Sequence, residues 1–248
     1  MERLKVGGIL DMSTLDYPGK ISSVIFLHGC NLRCLFCFNY DLVVGKKYNE
    51  MSTEEILKKI SGFRDFIDAV VITGGEPTLQ DIENLCKGLK QTGLLVKLDT
   101  NGTNPGLVKK LVSQKLVDFV AMDVKAPFAE YSKSAGVNLD ENATKKIRET
   151  FDFLIGSGID YEFRCPVVPG VNMELMERLA EDVKDAKVFV LEQFWADKGT
   201  LGNIGGTVGG EAPRSHEQLL GIAKLFKNRI VKIKTRERGE ETIKNTAP

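Results

Sequence analysis

Short apolar runs alternate with amphipathic stripes six times along this chain, and no other feature narrows the fold as far. The runs lie at residues 23–27, 69–73, 94–99, 117–123, 160–167 and 187–191, and a seventh at 230–233 closes the series. Each has strand length, and the mainly apolar character of 23–27 and 69–73 suits a strand covered on both faces. A helix follows each of the six. Ser52 and Glu55 form a capping box ahead of a stripe of Ile56, Leu57, Ile60 and Phe63. Leu79, Ile82, Leu85, Cys86 and Leu89 make the next stripe, and Asn104 with Pro105 supplies a cap and first-turn proline for Leu107, Val108, Leu111 and Val112. Further helices are expected at 144–154, 173–183 and 215–226.

Strand-then-helix units with short connections build a parallel sheet, because each right-handed crossover returns the chain to the same edge. Six units fall short of an eight-fold closed barrel, so the expectation is an α/β fold, a partial open (β/α)6 TIM-like barrel over residues 1–234. Residues 235–248, polar and without apolar period, form an expected disordered tail. In such sheets the working loops sit at the C-terminal strand ends. There the chain places its cysteines, "GGEP", "DTNG", "MDVK" and "RCPVVPG". Residues 198–210 hold six glycines in thirteen positions, which fits a surface loop or a lid over a site.

With 34 basic and 34 acidic residues, the charge balance announces neither nucleic acid nor an anionic membrane as partner. No apolar stretch reaches the roughly 20 residues that span a bilayer, so a cytoplasmic protein is expected. Five cysteines, three of them packed into "HGCNLRCLFCFN", do not suit a paired disulfide framework. Cys30, Cys34 and Cys37 suit a soft metal or an iron–sulfur cluster. A closed zinc site would need a fourth ligand, with His28 the nearest candidate, whereas Cys86 and Cys165 read as buried packing residues. A four-iron cluster on three thiolates would leave one iron open to substrate.

Polar residues closing strands also carry alternatives. Asp99 and Asn101 cap turns as readily as they contact a cofactor. Asp123 and Lys125 lie two apart and point to one side, a better candidate for cofactor contact than for packing. Arg164 fits a ligand carboxylate or a ribose hydroxyl, or a salt bridge to Glu162 or Asp160.

The C-x3-C-x2-C loop with Phe36 before the third cysteine, followed by "GGEP" at the end of the second run, resembles the radical S-adenosylmethionine superfamily. The resemblance implies that Cys30, Cys34 and Cys37 carry a 4Fe-4S cluster whose open iron is chelated by the methionyl amine and carboxylate of S-adenosylmethionine. It implies reductive cleavage to methionine and a 5'-deoxyadenosyl radical that abstracts hydrogen. The implied cofactor contacts are Phe36, Phe38, Gly74, Gly75, Glu76, Pro77, Asp99, Asn101, Asp123, Lys125 and Arg164.

"DYPG" at 16–19, "GCN", "LDTNG", "MDVKAP" and "VVPG" further resemble the glycyl-radical-enzyme activating group, most of all the anaerobic ribonucleoside-triphosphate reductase type and next the pyruvate formate-lyase type. That implies a glycyl radical enzyme as partner and a flavodoxin or ferredoxin as electron donor. A radical enzyme acting on a small molecule or nucleobase is the competing reading, and a zinc module the third. The chain departs from the group at Phe38, where a histidine is frequent, and at Phe194 and Trp195 near the sixth strand's end. Both departures bear on nucleoside contacts and on the partner.

Overall fold

A computed structural model describes residues 3–168, 170–194, 199–202 and 213–243. Two compact units divide the chain. The first comprises residues 1–31, 39–121 and 149–160, and the second 32–38, 122–148 and 161–248.

In the first unit β1 (Arg3–Tyr17) pairs antiparallel with β2 (Lys20–Leu27) and with β3 (Asn49–Ser52). On the other edge of β2 lie β4 (Ala69–Gly74) and β5 (Leu95–Thr100), in parallel register. β6 (Phe119–Asp123) follows β5 in the sheet order and ends inside the second unit. Residues Ala69 to Ile72 have no exposed surface, as a strand covered on both faces requires. The helices are α1 (Tyr40–Val44), α2 (Thr53–Ser61), α3 (Glu83–Gln91) and α4 (Pro105–Ser113). Both halves of the Ser52–Glu55 capping box form, and Asn104 caps α4 with Pro105 in its first turn.

"DYPG" proves to be the β1–β2 hairpin turn. Pro18 fixes φ at one central position, Gly19 supplies φ +68° at the next, and Tyr17 pairs with Lys20 across it. Tyr17 then packs with Val24, Ala69 and Val71 in the unit's core. Leu79, expected on the α3 stripe, instead ends a 3-10 turn at Pro77–Leu79 and is about half exposed.

In the second unit β7 (Asp160–Val167), β8 (Val188–Gln193) and β9 (Ile230–Thr235) run parallel. β10 (Gly239–Ile243) pairs antiparallel with β9. The expected disordered tail is therefore a strand in residues 239–243, tied to β9 by Lys232–Glu240 at 2.8 Å and to His216 by Glu241 at 2.6 Å. The helices are α5 (Tyr131–Ala135), α6 (Glu141–Gly156, its last turns in the first unit), α7 (Met173–Asp182) and α8 (His216–Ala223). Phe189 stacks on Phe226 at 4.7 Å in a core that includes Phe163, Leu191 and Ile233.

The α/β class with a parallel run of strands is thus as expected. Among the described residues no helix is long and apolar enough to cross a membrane. Trp195 and most of the glycine-rich stretch, 198 and 203–210, lie outside the described residues.

Candidate functional site

The first unit carries Cys30 and the "GGEP" and "DTNG" turns at its strand ends. Beyond β2 the backbone turns at Gly29 with φ +99°, and His28 N and Gly29 N donate to Lys5 O and Leu42 O at 2.8 and 2.7 Å. The His28 ring is engaged elsewhere: Nε2 donates to Gly45 O at 2.6 Å and the ring lies 4.7 Å from Tyr48. The cysteine loop then meets "GGEP" backbone to backbone. Gly75 N donates to Leu27 O at 2.8 Å and Glu76 N to Gly29 O at 2.7 Å.

A Cβ on Gly75 would overlap the Gly29 carbonyl oxygen, and one on Gly74, which has φ +125°, would overlap the Leu27 backbone. These glycines are required by close approach. Gly75→Ala is expected to displace the start of the cysteine loop and destabilise the protein by about 2–3 kcal/mol, since neither strand-end backbone can yield. Urea unfolding measures this, and a loss under about 0.5 kcal/mol would show that the two turns are not locked together.

Glu76 has no exposed surface. Its Oε1 accepts from Thr78 N at 3.0 Å, Thr78 Oγ1 at 2.5 Å and Thr100 Oγ1 at 2.8 Å, and its Oε2 from Asn101 N at 2.6 Å. Burial pushes the carboxyl above its ordinary range, and the donors of Thr78, Asn101 and Thr100 only partly oppose it. Glu76 braces the β4 and β5 turns, and Pro77 is buried at the start of the 3-10 turn.

Asn101 closes its turn, as one of its two sequence readings has it, and reaches the cysteine loop as well. Its Oδ1 accepts from Thr103 N at 3.0 Å, which closes the turn, and its Nδ2 donates to Asn31 Oδ1 at 2.9 Å and to Cys30 Sγ at 3.8 Å. An N–H donor on sulfur favours the thiolate form that metal binding uses. Asp99 pairs with Lys97 at 3.1 Å. Lys97, missed in the sequence reading, is 2% exposed on β5 and also donates to Asp16 O at 2.5 Å, inside the "DYPG" stretch. The available signal was a lysine within a buried apolar run, which needs a fixed partner.

The second unit carries Cys34, Cys37 and the ion cluster of "MDVK". Asp123 ends β6, and its Oδ2 accepts from Lys125 Nζ at 2.6 Å while Oδ1 accepts from Arg164 Nε at 3.3 Å. Arg164 thus pairs with Asp123, a partner not weighed from sequence. Val124 N donates to Arg164 O at 2.8 Å, and Tyr131 OH donates to Asp123 O at 3.0 Å and accepts from Lys125 N at 3.2 Å. Tyr131, 1% exposed, fixes both ends of the tripeptide.

Burial pushes the Asp123 carboxyl up, but Lys125 and then Arg164 outweigh it and hold the carboxyl below its ordinary range. Burial likewise disfavours the Lys125 ammonium, and Asp123, followed by Cys34, outweighs it and holds the group above its ordinary range. The signs give a window. The depressed carboxyl contributes stability above its unfolded value near 3.9, lost as pH falls through the folded one, and the raised ammonium contributes below about 10.4, lost as pH rises past its folded value. Asp123→Asn should therefore cost about 1–3 kcal/mol, level between roughly pH 5 and 10 and shrinking in acid. Paired unfolding curves across pH test it, and a cost that varies across the neutral range would contradict the assignment.

Cys34 is 6% exposed, with Sγ 3.8 Å from Ala135 O. Arg33 N donates to Ala135 O at 2.8 Å, and Gly136, at φ +65°, leaves no room for a Cβ against the Arg33 carbonyl. Burial raises the Cys34 thiol above its ordinary range, with Lys125 the strongest opposing influence. Cys37 and Phe36 are half-buried, and the exposed Phe38 stacks on buried Phe194 at 5.5 Å and 22°. The two positions where the chain departs from the activating group thus touch each other.

None of the five cysteines is in a disulfide. Cys86 and Cys165 are buried, as expected, and burial pushes each thiol up to about 12. Among the described residues no three of His, Cys, Asp and Glu stand close enough to hold one metal ion. A cluster asks for something different, since each thiolate binds its own iron. Cys30, Cys34 and Cys37 lie within eight positions of the sequence, none of them in a disulfide, and an amide donates to the Cys30 sulfur.

Comparison with known proteins agrees. The profile of the Radical SAM superfamily matches residues 24–183. A Methanocaldococcus jannaschii protein, provisionally named a glycyl-radical enzyme activating enzyme, is 40% identical over 193 residues, covering 76% of this chain and 79% of that one. The pyruvate formate-lyase-activating enzyme of Clostridium pasteurianum is 35% identical over 130 residues, 49% of this chain and 52% of that one. The solved structure of TYW1 with a lysine-pyruvate adduct bound shares the fold, with a TM-score of 0.66 at 17% identity over 90% of this chain and 80% of that one.

Proposed function

The chain belongs to the radical S-adenosylmethionine superfamily, whose members join an iron–sulfur cluster to S-adenosylmethionine, and we propose that it activates a glycyl radical enzyme. The partner we assign is the anaerobic ribonucleoside-triphosphate reductase, with a flavodoxin or ferredoxin as electron donor in the cytoplasm. The observation that carries the reading is the 40% identity, over three quarters of the chain, to a protein named for that activity.

In this proposal Cys30, Cys34 and Cys37 hold a 4Fe-4S cluster, with Phe36 and Phe38 flanking them. When bound, the cluster and S-adenosylmethionine supply the radical that takes a hydrogen from a glycine Cα. Gly74, Gly75 and Pro77 shape the turn that receives the methionyl amine, and Glu76 braces it. Asn101 orients Cys30. Asp99 is held by Lys97, while Asp123, Lys125 and Arg164 present fixed charge to the carboxylate and ribose of the cofactor.

The test is anaerobic reconstitution with iron and sulfide, reduction, and incubation with S-adenosylmethionine and either the reductase or pyruvate formate-lyase. A doublet glycyl signal in electron paramagnetic resonance with the reductase is expected. A signal with the lyase alone would reassign the partner, and cofactor cleavage without any signal would point to a small-molecule or nucleobase substrate.

A further inference from the structure

Resting on the cluster reading above, one feature of the second unit extends it. Residues Leu32 to Phe38 form no helix or strand, so the thiols they carry depend on outside anchors. Two anchors come from the chain beyond β8. Leu201 N donates to Cys37 O at 3.2 Å and Gly202 N to Leu35 O at 2.9 Å, so the two segments run in opposite directions past each other. A third is Phe194, 1% exposed at the end of β8, on which Phe38 stacks. Thr200, just before the paired amides, is 2% exposed.

The loop is therefore held through its backbone at Leu35 and Cys37 and through the Phe38 ring, on both sides of the third thiol. Cys37 N is itself bonded to Cys34 O at 3.0 Å, so these anchors bear on the whole C-x2-C turn. Neither the cysteine spacing nor the glycine count indicates this arrangement, because its partners lie more than 150 residues apart.

We propose that Phe194, Leu201 and Gly202 are positioning residues that clamp the C-terminal half of the cysteine loop and fix Cys37 for its iron. The glycine-rich segment after β8 then begins as a part of the cluster-holding apparatus. Leu201 acts through its amide and not its side chain, which sets the form of the test.

Leu201→Pro removes the donor, whereas Leu201→Ala keeps it. The readout is the rate at which Cys37 in the metal-free protein is alkylated by iodoacetamide, followed peptide by peptide with Cys30 as internal control. Loss of one anchoring hydrogen bond is expected to speed Cys37 alkylation by about tenfold in Leu201→Pro and by less than about twofold in Leu201→Ala, with Cys30 unchanged. Reconstituted Leu201→Pro should also lose iron to a chelator faster than Leu201→Ala.

An unchanged Cys37 rate in Leu201→Pro, an equal rise at Cys30, or the same rise in Leu201→Ala would overturn the proposal. If the proline variant loses its far-ultraviolet dichroism, Phe194→Leu takes its place. A several-fold rise at Cys37 supports the clamp there, and no rise overturns it. Because alkylation is read without metal, failure of the wild type to assemble a cluster would sink the functional reading and leave this one standing.

Discussion

Glu76→Ala is expected to destabilise the protein by about 3–5 kcal/mol, the largest stability effect of any single change in the two turns. The carboxylate has no exposed surface and accepts four hydrogen bonds, two of them from the backbone amides of Thr78 and Asn101. The threonine hydroxyls can rotate toward other acceptors, but the amides cannot, and each stranded buried donor costs about 1–3 kcal/mol. Glu76→Gln keeps the volume and one acceptor and should fall between alanine and wild type. Urea unfolding of the three proteins decides it: a loss under about 1 kcal/mol for alanine would mean that water or another group replaces the carboxylate. Affinity for S-adenosylmethionine should fall with the alanine variant, because Gly74 and Gly75 lose their support even though Glu76 touches no ligand in this account.

Cys34→Ala is expected to remove the iron–sulfur absorbance and all detectable cleavage of S-adenosylmethionine. Cys34 is the most buried of the three, and its loss leaves two of the three thiolates proposed to hold the cluster. Removing one sulfur from this site should change the stability of the metal-free protein by only about 1 kcal/mol, which separates lost chemistry from lost fold. Retained absorbance together with retained cleavage would exclude Cys34 as a ligand.

What the sequence made legible follows from the range of each interaction. Capping by Ser52, Glu55 and Asn104 acts over three residues, and buried strands such as β4 announce themselves by unbroken apolar character. Both were therefore readable. β1 was not, because Leu10, Met12 and Leu15 are exposed and the pattern of Leu4 and Val6 does not continue. β10 was hidden for the opposite reason: "GEETI" is polar, and its pairing with β9 draws on Lys232, Glu240 and His216.

The site divides in the same way. Candidate residues could be named from turns and strand ends, but their roles depended on partners far along the chain. The bracing role of Glu76 was hidden because Thr100 and Asn101 come to it from 24 and 25 residues away. Arg164 found Asp123 across 41 residues. Phe38 and Phe194, noted separately as departures from a family pattern, are one stacked pair.

The most direct test of the account is the metal content and product release of the wild-type protein reconstituted anaerobically, then reduced with S-adenosylmethionine present. The account predicts about four irons with matching sulfide per chain, together with release of methionine and 5'-deoxyadenosine. One tightly held zinc per chain, with no iron–sulfur absorbance and no 5'-deoxyadenosine, would contradict it.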